Sequence, residues 1–286
     1  MKNPKITVVT ICYNAVNTIE KTILSVINQT YNNIEYIVVD GASTDGTMDI
    51  IKKYDDRIAK WVSEPDNGIY DAMNKGIDMA TGEWINFMNA GDIFFSCFSI
   101  SSAFDIVDTI SADIIYGYQV HSYKYGKYVR IRLSLDRFRY CMPIGHPSTF
   151  VKTSLMKECK FDTNFKIAAD YNFFFKKYIE GKKFVAVNAI IADFESSDGV
   201  SSSDKGAYTT IIETSIVNGS YNNFGIYYNC FSVAIRKVLK KVIKDIFGEE
   251  LIESFQKRKR DNNDEYIKLS TFIEQNDYDF NNSSCL

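Results

Sequence analysis

The chain has 286 residues, 45% of them hydrophobic and 24% charged, with a net charge of −3. That is apolar material for one large domain, or one domain plus an appendage, and it excludes a whole-protein nucleic-acid footprint. Twenty Phe and 19 Tyr against 4 Pro exclude a disordered chain, and two His with six Cys in no CxxC pair argue against structural zinc.

The opening MKNPKITVVTICYN places polar Asn14 after a short apolar run, unlike a signal peptide. No apolar stretch approaches the roughly 20 residues that cross a bilayer. Scattered thiols suit a reducing compartment, so the expectation is a cytoplasmic protein.

In chain order, ITVVTI (6–11) reads as a strand buried on both faces. Asn17 with Glu20 three residues later resembles a helix cap, and Ile19, Ile23, Val26 and Ile27 follow at helical spacing. IEYIVVD is a second strand ending on Asp40, and the turn 41–47 leads into a helix running to Tyr54. A third strand falls near 58–62. Ile69, Ala72, Met73, Gly76, Ile77 and Ala80 form the apolar stripe of a third helix, and GEWINFM is the fourth strand. DIIYGYQV and YGKYVRIRL predict a hairpin around Tyr125 and Gly126. A helix is predicted from about Ala168 to Ile179, then a strand at KKFVAVN. Beyond 206 the composition turns basic and amphipathic, ending in a polar tail whose end is expected to fray.

Strand–helix alternation with short connections predicts an α/β fold with a mostly parallel sheet, whose ligands bind beyond the strand carboxyl ends. Asn14, Asp40 and Asp92 all follow such ends. Asp40 closes an apolar run where a carboxylate serves no packing purpose, and it can accept from a base N–H or a ribose hydroxyl. Asp45 and Ser43 serve equally as helix caps or as contacts. On the third helix, Asp71 and Lys75 read either as a solvated i, i+4 pair or as ligand contacts at a helix start that favours anions. Asn89-Ala-Gly-Asp92 is a turn by composition. It also offers one carboxylate and one amide oxygen to a Mg²⁺ or Mn²⁺ ion whose remaining ligands are water and a diphosphate. Asp170 stands near a helix start, as a cap or as a site carboxylate, and His146 lies in a loop as a structural or site residue.

ITVVTICYN, VVDGASTDGT, NKGIDMATGEWINFMNAGD and the later AADY, in that order, resemble the inverting family 2 glycosyltransferases of GT-A fold. The resemblance spans roughly residues 5–205. DNGIYDAMNKG followed by NAGD is similar to the branch serving bacterial exopolysaccharide, capsule and lipopolysaccharide assembly, of colanic-acid type. It implies a GT-A domain over 1–205, with a nucleotide-binding half about 1–95 and an acceptor and catalytic half about 96–205. A helical, partly basic extension with a polar tail occupies 206–286. The implied activity is transfer of a sugar from a nucleotide-diphosphate donor, UDP-linked by preference, to a glycan or lipid-linked hydroxyl. Asp170 is then the catalytic base and Asp92 the metal ligand. Asn14, Asp40, Asp71, Lys75 and Asn89 lie by the donor nucleotide, and His146 by acceptor or diphosphate. Asn89 and Gly91 stand where the family usually carries acids, which leaves metal dependence open and makes a non-catalytic nucleotide-sugar-binding scaffold the competing reading. The basic segment 235–260 either packs on the catalytic domain or lies on the inner face of the cytoplasmic membrane.

Overall fold

The computed structural model describes residues 3–105, 111–195, 204–220, 230–235, 238–239, 242–243, 245–246 and 248–276. Strands β1 (Ile6–Cys12), β2 (Ile34–Asp40), β3 (Lys60–Ser63) and β4 (Trp84–Phe87) form where the β-branched and aromatic runs fall. Helices α1 (Ile19–Ile27), α2 (Thr47–Lys53) and α3 (Ile69–Met79) connect them. These strands pair in parallel, in spatial order β4-β1-β2-β3.

Successive side chains of a strand point to opposite faces. Ile6 and Val8 of β1 therefore enter one core, with Ile19, Ile23 and Val26 of α1, Ile51 of α2 and Ile100 of α4 (Ser99–Phe104). Val9 and Ile11 enter the other, with Met73 and Ile77 of α3, Leu155 of α5 (Thr153–Glu158) and Phe173 of α6 (Ala169–Ile179). The result is a sheet between two helical layers, the reason its parallel strands are apolar on both faces.

The second half extends the sheet by antiparallel pairing. β8 (Thr149–Lys152) runs against β4, and β6 (Ile114–Tyr123) runs against β8. β7 (Gly126–Arg130) completes the expected hairpin with β6. The long β9 (Phe184–Glu195) pairs parallel with β6 and antiparallel with the short β5 (Ile93–Phe94).

The extension is helical in α7 (Asp204–Val217), α8 (Glu249–Asp261) and α9 (Leu269–Gln275), and it also contributes a strand. β10 (Tyr266–Lys268) pairs with β7 and covers that strand's outer edge, while Phe272 of α9 is buried against Val120, Val129 and Ile190. The polar tail from 277 onward lies outside the described residues. The cap expected at Asn17 does not form: α1 begins after Thr18 without a side-chain cap. Glu20 is drawn away to Lys53 (2.7 Å) and Tyr54 (2.8 Å) on α2.

At the amino edge of the parallel strands, Glu35 is 4% exposed and ties three segments together. Its carboxylate accepts from Thr7 Oγ1 (2.7 Å), Thr81 N (2.7 Å) and Lys5 Nζ (3.2 Å). Burial alone would raise this carboxyl, but the hydrogen bonds from Thr81, Thr7 and Lys5 outweigh it and hold the pKa at about 2, against an ordinary 4.5. A carboxyl lowered on folding gives stability that is complete above the unfolded value and is lost as pH falls toward the folded one. Glu35 is therefore expected to contribute up to about 3 kcal/mol that disappears between pH ~4.5 and ~2. Urea unfolding across this range should show a shallower acid loss in Glu35→Gln than in the parent; equal slopes would remove Glu35 from that role.

Candidate active site

The carboxyl ends of β1, β2 and β3 stand level, with Cys12 opposite Asp40 and Asp40 opposite Ser63. Two loops meet above them. Asn14, in the left-handed region at φ 48°, accepts at Oδ1 from Thr44 N (3.0 Å), and its own N–H donates to Ser43 Oγ (2.8 Å). Ala15 N donates to Thr47 Oγ1 (2.8 Å) and Val16 N to Asp45 Oδ2 (3.0 Å). Asp40 is fully buried beneath this platform. Its carboxylate accepts from Ser43 N (2.9 Å), Ser43 Oγ and Ser63 Oγ (2.6 Å). Asp40 therefore shapes the surface of the 41–45 loop from below. Tyr13, 67% exposed beside Gly41 and Asp66, is an aromatic surface there that sequence reasoning missed.

At the α3 entry, Asp71 Oδ2 accepts from Asn67 N (2.9 Å). Lys75 does not pair with Asp71; it reaches Glu64 (2.9 Å) and the Pro65 carbonyl (2.8 Å), fastening the loop ahead of its own helix. The polar side of α3 is a docking face. The Asn74 amide brackets the Phe161 backbone at 2.9 and 3.0 Å, and Asp78 pairs with Lys160 (2.6 Å). Tyr70, on the buried side, has its hydroxyl 2.5 Å from the Ile167 carbonyl and 3.0 Å from Asp170 Oδ1. Burial and the Asp170 charge raise its pKa well above the ordinary value, so it stays a donor.

Beyond β4 the chain stays beside β1 as far as Ala90, whose N–H donates to the Ile11 carbonyl (3.0 Å). It then turns, Asp92 N donating to the Asn89 carbonyl (2.9 Å) with Gly91 at φ 107°, a conformation glycine adopts without steric cost. No protein atom lies within 4 Å of where a Cβ would stand on Gly91, so the positive φ is what favours glycine there among the described contacts. Buried Thr22 of α1 pins the turn through Gly91 N (3.0 Å) and the Asp92 carbonyl (2.8 Å). Asn89-Ala-Gly-Asp92 is thus an ordinary turn and also the device that delivers Asp92.

His146 faces that turn. Asn86, buried within β4, donates to the carbonyls of Pro147 and Thr149 (both 2.9 Å), and Gly145 rests against the amide end of the Gln119 side chain. So held, the imidazole spans the crevice. Nδ1 lies 3.4 Å from Asp170 Oδ2, and Nε2 lies 3.9 Å from Asp92 Oδ2 and 3.2 Å from the Asn89 amide nitrogen. Burial would lower the His146 pKa, but the hydrogen bond to Asp170 and the charges of Asp170 and Asp92 outweigh it and raise it. Asp92, 5% exposed, is pushed up to about 7 by burial; His146 opposes this, and Asp193 and Glu195 reinforce it. The acids of β9 are a second omission of the sequence reading, although ADFE ends an apolar run just as IEYIVVD does. Asp193 is register partner of Ile93 and is held by Lys127 (2.6 Å) and Ser122.

Among the described residues no three His, Cys, Asp or Glu side chains form a metal cluster. The 89–92 turn does supply hard donors: the Asp92 carboxylate and Asn89 Oδ1, which is buried without a hydrogen-bond partner. This set fits a divalent cation that completes its shell with water and a diphosphate, and it does not fit an all-protein cage.

Asp170 lies in the first turn of α6, and three side chains hold the segment that leads into it. Tyr70 holds the Ile167 carbonyl, Asn74 holds Phe161, and Glu213 of α7 accepts from Lys166 N (2.7 Å), Ile167 N (2.8 Å) and Ala168 N (2.9 Å). The structure thus brings Asn89, Asp92, His146 and Asp170 together. Asn14 and Asp40 build the neighbouring platform, with Asp71 and Lys75 at its outer loop.

Residues 7–180 match the family model described as Glycosyl transferase family 2. An uncharacterized glycosyltransferase of Mycobacterium tuberculosis is 30% identical over 208 residues, 68% of this chain and 76% of the relative. A PGL/p-HBAD biosynthesis glycosyltransferase of Mycobacterium bovis is 29% identical over 158 residues, 52% of this chain and 60% of the relative. Among solved structures, residues 1–349 of S. aureus TarS in complex with UDP-GlcNAc align with a TM-score of 0.60 at 19% identity, over 74% of this chain and 66% of that one. The mannosyltransferase PcManGT from Pyrobaculum calidifontis, in complex with GDP-Man and Mn²⁺, aligns with a TM-score of 0.56 at 20% identity, over 82% of this chain and 65% of that one. A GT-A-like fold, the matched span and the mycobacterial relatives agree: the chain is a glycosyltransferase of family 2.

Proposed function

We propose that this chain moves a glycosyl unit from a nucleoside diphosphate sugar, UDP-linked by preference, to a hydroxyl of a glycan or lipid-linked glycan. Transfer inverts the anomeric carbon and serves bacterial surface polysaccharide assembly, in the colanic-acid-type branch that its DNGIYDAMNKG and NAGD segments resemble. The observation that carries this reading is the crevice in which Asp170, partly solvent-accessible, faces Asp92 across His146.

Inversion needs a single base on the acceptor side, whereas a typical glycoside hydrolase uses two catalytic carboxylates. Tyr171 N and the Tyr70 hydroxyl lie against Asp170 Oδ1, and Oδ2, beside His146 Nδ1, takes the proton of the attacking hydroxyl as its oxygen bonds to the anomeric carbon and the bond to the diphosphate breaks. Asp92 and Asn89 would hold Mn²⁺ or Mg²⁺, which supplies positive charge to the departing diphosphate. The platform of Asn14 and the 41–45 loop, braced by Asp40, receives the nucleotide with Tyr13 alongside. Asp71 and Lys75 support that pocket by holding the 64–68 loop. His146 orients Asp170 and lies beside acceptor and diphosphate. The acceptor half extends past 205 to include α7, because Glu213 fixes the α6 entry.

In Asp170→Asn, transfer to acceptor should fall about a thousand-fold while calorimetric binding of the nucleotide sugar persists; near-normal turnover would reject Asp170 as the base. In Asp92→Ala, the thermal stabilisation by UDP that depends on Mn²⁺ should vanish, and an unaltered metal response would free Asp92 of that assignment. Glu213→Ala strands three backbone donors, so we expect about 3 kcal/mol of lost stability and a fall in kcat with little change in donor KM. Glu213→Gln should restore part of both. If the Ala variant kept full kcat, Glu213 would be a fold anchor without influence on the base.

A further inference from the structure

The basic C-terminal segment divides into two parts with opposite fates. α8 is docked. The Arg260 guanidinium stacks over Tyr266 (3.9 Å to the centroid) and Tyr123 (4.6 Å), and Nη2 donates to Tyr123 Oη (2.6 Å). Tyr128 donates to Asp261 (2.8 Å), and Ile252 is buried. The half of the segment beyond 248 therefore packs on the catalytic domain.

The described residues between 230 and 246 are also helical, but six of their apolar side chains are exposed, while Val233, Ala234 and Ile243 are half-buried. Phe231, Val238, Leu239 and Ile246 are 65, 62, 53 and 65% exposed, and Ile235 and Val242 are 43 and 45% exposed. At about 100° per residue these six positions fall within one arc roughly 100° wide. Over the same span the sequence carries five basic residues, Arg236, Lys237, Lys240, Lys241 and Lys244, against one acid, Asp245. Among the described residues no helix is long and apolar enough to cross a membrane.

We propose that this face rests on an anionic phospholipid bilayer, the apolar stripe at the headgroup–acyl boundary and the basic residues toward lipid phosphates. A bilayer supplies both complements, apolar depth and dense negative charge. A second copy of the same helix would supply the first and repel through the second. The contact does not depend on the glycosyl-transfer reading; if both hold, the enzyme works at the surface where a lipid-linked acceptor resides.

Flotation of the full chain on phosphatidylglycerol–phosphatidylcholine vesicles, against phosphatidylcholine alone, tests the proposal. The parent should partition to the anionic vesicles, less so at high salt. V238S/L239S and K240Q/K241Q should each bind at least ten-fold more weakly. Positions 238 and 239 are exposed, so an unchanged thermal shift with UDP will show that fold and nucleotide site are intact in the first variant. Equal flotation of parent and V238S/L239S would overturn the proposal. So would a concentration-dependent dimer in light scattering that V238S/L239S abolishes, with no vesicle binding by the parent. A parent that floats but transfers no sugar would retain the lipid contact and sink the catalytic reading alone.

Discussion

An imidazole between two carboxylates is the contact on which the crevice depends. Asp92 and Asp170 come from opposite halves of the chain, with Asp193 and Glu195 of the neighbouring strand adding to the negative field at Asp92. Removing such groups from water costs several kcal/mol each, while an opposite charge about 4 Å away returns roughly 4 kcal/mol at a partly buried site. The two effects are close in size, so local detail decides each outcome. At His146 the acids outweigh burial and the ring is a better base than usual. At Asp92 burial outweighs His146 and the carboxyl is raised to about 7. One imidazole thus faces two carboxyl groups, with two further acids beside Asp92.

The fold serves that contact by fixing each participant from a distance. β4 carries Asn86, which sets the 145–149 turn, and then continues into the turn that bears Asp92. Thr22 of α1 fastens that second turn from the opposite helical layer. Asp170 is held from α3 by Tyr70 and through the α6 entry by Glu213. Several of these positioning groups are buried polar side chains whose hydrogen bonds end on backbone atoms. The geometry is therefore set by the chain path more than by flexible side-chain pairs.

What could be read in the sequence follows from the range of the interactions. β1 to β4 and α1 to α3 were legible because strand alternation and helical stripes are local, and the strand ends marked Asn14, Asp40 and Asp92 for the same reason. Tyr70 and Asp170 meet across 100 positions, and Glu213 reaches Ala168 across 45, so no local pattern announces either pair. A carboxylate ending an apolar run also has two physical outcomes. Asp92 lines the crevice, whereas Asp40 turns inward and orders two loops, and the residues around them look alike in sequence. The expected Asp71–Lys75 pair failed because Glu64, just ahead of the helix, offers Lys75 a partner together with a carbonyl at Pro65.

The same electrostatic balance accounts for the amide at position 89. Asn89 approaches His146 at 3.2 Å without adding charge. An aspartate there would place another anion beside a carboxylate already raised by burial and by two neighbouring acids, with one imidazole to offset them all. Like charges at that separation raise one another's pKa, a cost that the neutral amide does not add. Glycine at 91 meets a separate demand, since its φ of 107° is what closes the turn on Asp92. Position 89 thus adds no charge and position 91 answers to backbone geometry, while within this turn Asp92 alone brings a carboxylate to His146.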